Sequence, residues 1–439
     1  MFDPDRQSVN EPGNAAPPVF RFFSFTGQWP ATFRALRHRN FLLFWSGQLI
    51  SLIGTWMQNI AQGWLVYQLA LHEYGPGKTS FYVGLVSAIG MTPTLLFTLF
   101  AGVIADRFDK RRILIATQSG AMLLALTLGV LYTTGMIHLW HIMVLAALLG
   151  LVFAFDMPTR QAFVKDMVGP EDLVNAIALN SSIFNGARIV GPGIAGVLIA
   201  IPSIGYAGAF FANAASYLAV IAGIVAIRLT PHPRALSEAN VWEHMREGFR
   251  YVIGHRTIRL ILVVMAIISV FGFSYIVEMP VIVGQVLHRN VGSYGLLLSF
   301  GGAGALIATL ILATMAGRVR KGAVMLYGSL LFSLALIAMK TTTSFYVFAV
   351  FLSLVSGGLV VCSASINSLI QEITPDHLRG RVISMWAFIF AGFAPVGALY
   401  AGTLAHYSTP TMPVFVGGIV ILLLIIFLSL RAPWIWRLE

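Results

Sequence analysis

The chain is 439 residues long, 57% hydrophobic and only 10% charged, against about 25% charged residues in an ordinary soluble domain. That balance cannot wet a soluble fold, and a formal charge of +11 does not indicate nucleic acid, because its Lys and Arg lie in short segments between apolar runs and not on one face of a soluble domain. The single cysteine, Cys362, excludes an internal disulfide and a cysteine metal cluster.

Residues 1–33, with Asp3, Asp5, Glu11 and scattered Pro and Gly, read as a polar, disordered tail, so 1–40 is assigned as a tail on the cytoplasmic side. The first apolar run, Phe41 to Leu71, is too long for a signal peptide and lacks a small-residue cleavage site. Crossing the hydrocarbon takes about 20 residues. On that measure the runs predict spanning helices near 43–70, 81–105, 113–134, 140–159, 173–200 and 207–228, then 258–280, 293–315, 323–340, 346–370, 383–405 and 413–431. The reading is six plus six: an N-terminal half over 41–228, a linker over 229–257, a C-terminal half over 258–431 and a tail over 432–439.

On the first helix, Gln48, Ser51, Thr55, Gln58, Asn59 and Gln62 share an arc of about 100° at the helical angle per residue. Such a stripe turns away from lipid, either to bond neighbouring helices or to line a cavity. Asp156 near the inner end of helix 4 and Glu278 near the outer end of helix 7 are candidates for a titrating carboxyl; each is equally readable as a helix-end group in water. Arg188, midway along helix 5 with Asn180 near the same face, costs at least about 2.5 to 3.5 kcal/mol at the centre of a span, so it should be paired or face water, either as a structural Arg bonded to backbone carbonyls or as an Arg in the transport path that shapes alternating access or binds an anionic substrate. Around it Gly186, Gly191, Gly193 and Gly196 admit a close neighbour and Pro192 removes a backbone bond. In the linker, Val241, Trp242, Met245, Phe249, Val252 and Ile253 face away from Glu243, Arg246, Glu247 and Arg250, the pattern of an interfacial helix.

With both termini inside, only Lys78, Arg289 and Lys340 fall outside and Arg188 within a helix, which leaves 24 of the 28 basic residues cytoplasmic. The halves also echo each other. "HRNF" at 38–41 answers "HRTI" at 255–258, "ADRFDKRRIL" at 105–114 answers "AGRVRKGAVM" at 316–325, and "GPEDL" at 169–173 answers "TPDHL" at 374–378. Six spans separate each pair, so the repeats are parallel, related by an axis along the membrane normal.

"GVIADRFDKRR" at 102–112 resembles the loop signature between helices 2 and 3 of the major facilitator superfamily, and "GARIVGPGIAG" at 186–196 resembles the helix-5 motif of its drug and proton antiporters. "FDMPTRQAF" at 155–163 is similar to the branch that includes the enterobactin exporter and multidrug efflux relatives. The resemblance spans about 34–431. It implies an all-α membrane fold of twelve transmembrane helices in two six-helix halves, a cavity lined by helix 1, and a conformational motif comprising Gly102, Asp106, Arg107, Lys110 and Arg111 with Gly191, Pro192 and Gly196. Within it Asp106 implies a latch on the opposite half, by capping a helix or pairing with an Arg. Asp109 stands where the signature has Gly, a swap expected to use a left-handed turn, and Gly317 replaces the acid that would match Asp106.

No phosphate loop of an ATPase is present, Gly301, Gly302 and Gly304 read as packing, and the histidines show no metal spacing, so neither an enzyme nor a cofactor or metal site is expected. The resulting expectation is a monomeric proton-coupled exporter of an amphipathic small molecule, a drug or a siderophore, in the bacterial inner membrane. A largely apolar substrate is favoured. The rival readings are a lipid or lysophospholipid transporter of the same fold, and a receptor or channel; a channel should show a repeated pore loop or charged ring, and none is visible.

Overall fold

The computed structural model describes residues 31–228, 241–315 and 319–438. The first half holds α1 (Arg39–Tyr74), α2 (Pro76–Arg107), α3 (Lys110–Thr133), α4 (Leu139–Met167), α5 (Leu173–Ala200) and α6 (Gly205–Ala226). After α7 (Val241–Gly254), the second half holds α8 (Arg256–Ile267), α9 (Ser274–Val281), α10 (Val291–Met315), α11 (Lys321–Met339), α12 (Phe345–Ile373), α13 (Asp376–Gly392), α14 (Ala394–His406) and α15 (Met412–Arg431). No strand occurs among the described residues.

Two spans are segmented. One runs from Arg256 to Val286 through α8 and α9 with a π turn on either side of α9, at Ile268–Gly272 and Ile282–Val286. The other joins α13 and α14 at Phe393, just before Pro395. Eleven described segments are long and apolar enough to cross a membrane. The twelfth long helix is α1, 36 residues, whose glutamines and serines lower its apolarity without shortening it. Short turns demand special backbone where helices reverse: Gly75, Gly135 and Gly205 all have positive φ, which glycine adopts without a Cβ penalty.

The expected linker loses residues 229–240 to the region outside the described residues, as does the expected tail over 1–30. The remainder of that tail is not loose. Ala31–Arg37 is a short 3-10 turn that buries Ala35 and Leu36. The C-terminal stretch is likewise packed: Ile435 is buried, the Gly322 amide donates to Leu438 O at 3.0 Å, and Arg256 lies over the Trp434 ring.

Two buried clusters make the core. A larger one runs through the second half and continues into the first at the end of the bundle where α1 meets α2; a separate one, with Phe41, Phe44, Leu114 and Phe163, fills the other end of the first half. The halves therefore share a core at one end and keep separate cores at the other. The separated end carries the Arg107–Lys110 turn and is called the basic end below.

Candidate functional site

Two seams join the halves away from the basic end, and both are built from glycine. Along α5 and α10, a Cβ on Gly196 would lie 3.1 Å from the Gly292 Cα, Ser299 Oγ donates to Ile189 O at 2.8 Å, and a Cβ on Gly302 would lie 3.3 Å from Arg188 O. Along α2 and α14, a Cβ on Gly84 would come within 2.8 Å of the Gly402 Cα, and His406 Nδ1 donates to Gly77 O at 2.6 Å. A Trp64–Tyr294 stack (centroids 5.7 Å apart) joins α1 to α10 at the same closed end. At the basic end, every ion pair among the described residues stays within one half or links it to α7. The halves thus meet through close backbone seams at one end, while at the basic end no ion pair among the described residues crosses between them, and the Arg188 carbonyl lies along the α5–α10 seam.

The polar stripe of α1 divides in two. Gln58 accepts from Asn213 Nδ2 at 2.6 Å, Thr55 faces the Tyr217 hydroxyl at 3.4 Å, and Gln48 accepts from Arg160, so these bond α4 and α6 of their own half. Asn59 is exposed and Gln62 part-buried, and neither side chain has a hydrogen bond among the described residues.

Asp156 is not a helix-end group in water. It is 1% exposed and accepts from Thr117 Oγ1 at 2.9 Å, Gln118 Nε2 at 2.6 Å and Arg160 Nε at 3.0 Å, with a second contact from the Arg160 fork. The sequence reading missed Arg160, though the Asp-to-Arg spacing of four is the spacing of helical ion pairs. Glu278 is also not in water. It is fully buried on α9 against α2, and no donor reaches either carboxylate oxygen at hydrogen-bond geometry, although the Ser80 hydroxyl stands beside it. One turn earlier lies Tyr275, 2% exposed, another residue the sequence reading passed over because an aromatic in an apolar span looks like core.

Arg188 is part-buried and has no hydrogen bond or ion pair among the described residues. Asn180, eight residues toward the basic end, lies about 12 Å away along the axis, so the two do not form one site. Gly191 receives α1 closely, a Cβ there meeting Trp56 Cβ at 2.5 Å, and Pro192 is buried in the α5–α10 seam. Aromatic rings surround this level: Trp56 edge-on to Phe184, and Phe390 against both Phe273 and Trp386.

In the loop motif, Lys110 pairs with Asp166 at 2.7 Å and Arg111 donates to Val225 O, both within the first half; Arg107 is exposed and Gly102 meets nothing that a Cβ would strike. The side chain of Asp106, and residues 316–318 with Gly317, lie outside the described residues. Asp109 does not use a left-handed turn. At φ −67°, ψ 108° it caps α3, accepting from the Arg111 and Arg112 amides at 2.9 and 3.3 Å, because a side-chain oxygen there satisfies orphan helix donors. Near the same end, Asp172 takes Arg34, Arg37 and His38 together, pinning the N-terminal turn to α5.

Residues 30–435 match a family model described as "Transmembrane secretion effector". The chain is 28% identical to the staphyloferrin A transporter of Staphylococcus aureus over 81% of its length and 87% of that protein. It is 26% identical to the multidrug efflux pump Tap of Mycolicibacterium fortuitum, over 79% of its length and 84% of the pump. In fold it is similar to a bacterial homologue of the human lysosomal transporter Spinster, solved inward-facing and unoccupied, with a TM-score of 0.68 at 13% identity over 91% of this chain and 96% of that one.

Proposed function

Because the chain belongs to the transmembrane secretion effector family of major facilitator transporters, and is a multi-pass membrane transporter and not an enzyme, we propose that it exports an amphipathic small molecule in exchange for protons. The observation that carries this reading is that two glycine seams and a shared core join the halves at one end, while at the basic end the first half has a core of its own and no ion pair among the described residues crosses to the second. Positive charge favours the cytoplasmic side, so the cavity would load from the cytoplasm of a bacterial inner membrane, with the two halves of one monomer rocking to release outward.

The family description and the names of the two relatives, a siderophore transporter and a multidrug pump, support export of a siderophore or drug. The aromatic pairs Trp56–Phe184 in the first half and Phe273–Phe390 with Trp386 in the second favour a substrate with a flat apolar body. In this reading Glu278 carries the proton and Asp156 does not. A carboxylate buried without donors is expensive, whereas the neutral acid is tolerated there; opening the seam would admit water and let the group exchange. Asp156 is instead held by Arg160 and two further donors inside the first half.

The test is dye movement in proteoliposomes under an imposed pH gradient, with wild type beside Glu278→Gln. Ethidium extrusion that needs the gradient, and that the variant loses while still inserting, supports proton-coupled export. Extrusion indifferent to both overturns the coupling, and uptake of a fluorescent lysophospholipid in its place would favour a lipid transporter.

A further inference from the structure

We propose that α7 is a membrane-surface helix that binds anionic lipid: Phe249 and Ile253 enter the bilayer interface while Arg246 and Arg250 hold the phosphates of negatively charged headgroups. The inference needs only a chain that crosses a membrane, and it holds whatever the transporter carries.

The sides of α7 differ in what they meet. One packs on α13: Val252 is buried, a Cβ on Gly248 would lie 3.2 Å from the Arg381 Cβ, and Glu247 pairs with Arg381. The other is open. Phe249 and Ile253 are 57% and 49% exposed and stand one turn apart, so they form one apolar edge. Arg246 and Arg250, likewise one turn apart, are exposed beside it, with no ion pair or hydrogen bond among the described residues. At the helical angle of about 100° per residue these four share an arc of about 100°. Glu247, engaged by Arg381, does not neutralise the two arginines.

The place of α7 in the chain decides what covers this arc. It ends at Gly254, and after His255 the Arg256–Val286 span begins, so the helix lies where the chain re-enters the bilayer. Arg259 of that span donates to the Ile253 carbonyl and ties the two together. A helix at a membrane boundary that carries apolar side chains beside arginines is stabilised in the interface plane, with the apolar edge against the acyl chains and the charges at headgroup level. Basic residues beside a span are drawn to the anionic lipid of the cytoplasmic leaflet, the side that the positive charge of this chain favours. Since α7 packs on α13 and α8, both of the second half, lipid held by Arg246 and Arg250 grips that half directly.

The test places a nitrobenzoxadiazole label at Phe249→Cys in purified full-length protein; Cys362 is buried, and wild type gives the labelling background. The protein is reconstituted in nanodiscs of phosphatidylcholine brominated on its acyl chains, alone or mixed with phosphatidylglycerol, and bromine quenching reports entry of the label into the bilayer. Quenching should exceed that of the same label at exposed Glu171→Cys, rise when phosphatidylglycerol is added and fall back as salt is raised. The rise should be lost when Arg246→Gln and Arg250→Gln are combined with the labelled variant and kept when both are replaced by Lys, with thermal melting as the folding control. A label quenched no more than at Glu171, as a second copy or another protein covering this face would leave it, overturns the proposal. So does quenching indifferent to phosphatidylglycerol, or a rise that the paired Gln variant retains.

Discussion

Asp156 and Glu278 are two buried carboxyls in one membrane protein, and their surroundings are opposite. Asp156 sits inside the first half with a guanidinium, a hydroxyl and an amide all donating to it. Glu278 sits between the halves with none. A carboxyl that accepts from several donors behaves as a structural fastener, whereas one without donors is sensitive to any opening that lets water in. Burial alone does not mark a coupling residue; what distinguishes Glu278 is burial in a contact that the transport cycle would have to break.

The largest effect expected from this contrast is on stability. Asp156→Asn leaves the part-buried Arg160 without its carboxylate and should destabilise the protein, by less than the roughly 3–5 kcal/mol of a fully buried pair, read as a lowered melting temperature in detergent. Pairing Asp156→Leu with Arg160→Met should recover most of it, because an apolar pair of similar volume often replaces a buried ion pair without loss. Glu278→Gln should leave melting unchanged while gradient-driven extrusion falls about tenfold or more. If it melts as early as Asp156→Asn, the contrast collapses.

Filling a seam tests the setting of Glu278 and not the group itself. Gly402→Val should lose about 1–3 kcal/mol of the closed contact and raise the labelling rate of a cysteine introduced beside Ser80 by a membrane-impermeant maleimide. The smallest effect belongs to Asp172. The His38 ring, followed by the Arg34 and Arg37 charges, holds its carboxyl below the usual carboxylate range. A depressed value means the anchor is present above the ordinary carboxylate titration and is lost only as pH falls through the lowered one. Hydrogen exchange of residues 31–37 should therefore not change from pH 8 to pH 5 through this carboxyl, and should quicken in Asp172→Asn.

The spans were legible because a membrane helix announces itself by length and apolarity: the expected 173–200 coincides with α5, and the other spans differ mainly at their ends. The sequence also carries Arg188, since one charge in an apolar run stands out. It does not carry partners. The stripe on α1 looks uniform in one dimension, and only the arrival of α4 and α6 separates Gln48 and Gln58 from Asn59 and Gln62. Tyr275 was invisible for a related reason: an orphan hydroxyl is defined by what fails to reach it. Asp109 was misread because a Gly position suggests backbone freedom, whereas the fold uses the new side chain as a cap.

The two π turns around α9 give the span that carries Tyr275 and Glu278 an unusual mechanical property. A π turn holds one residue more than the α turn it replaces, and one residue corresponds to about 100° of helix rotation. Moving that surplus residue along the chain, from one side of α9 to the other, would swivel Ser274–Val281 as a spindle between two fixed bearings. Re-aiming Glu278 away from the seam would then disturb backbone bonds in only two turns, and the ends of the span could stay where their own half holds them.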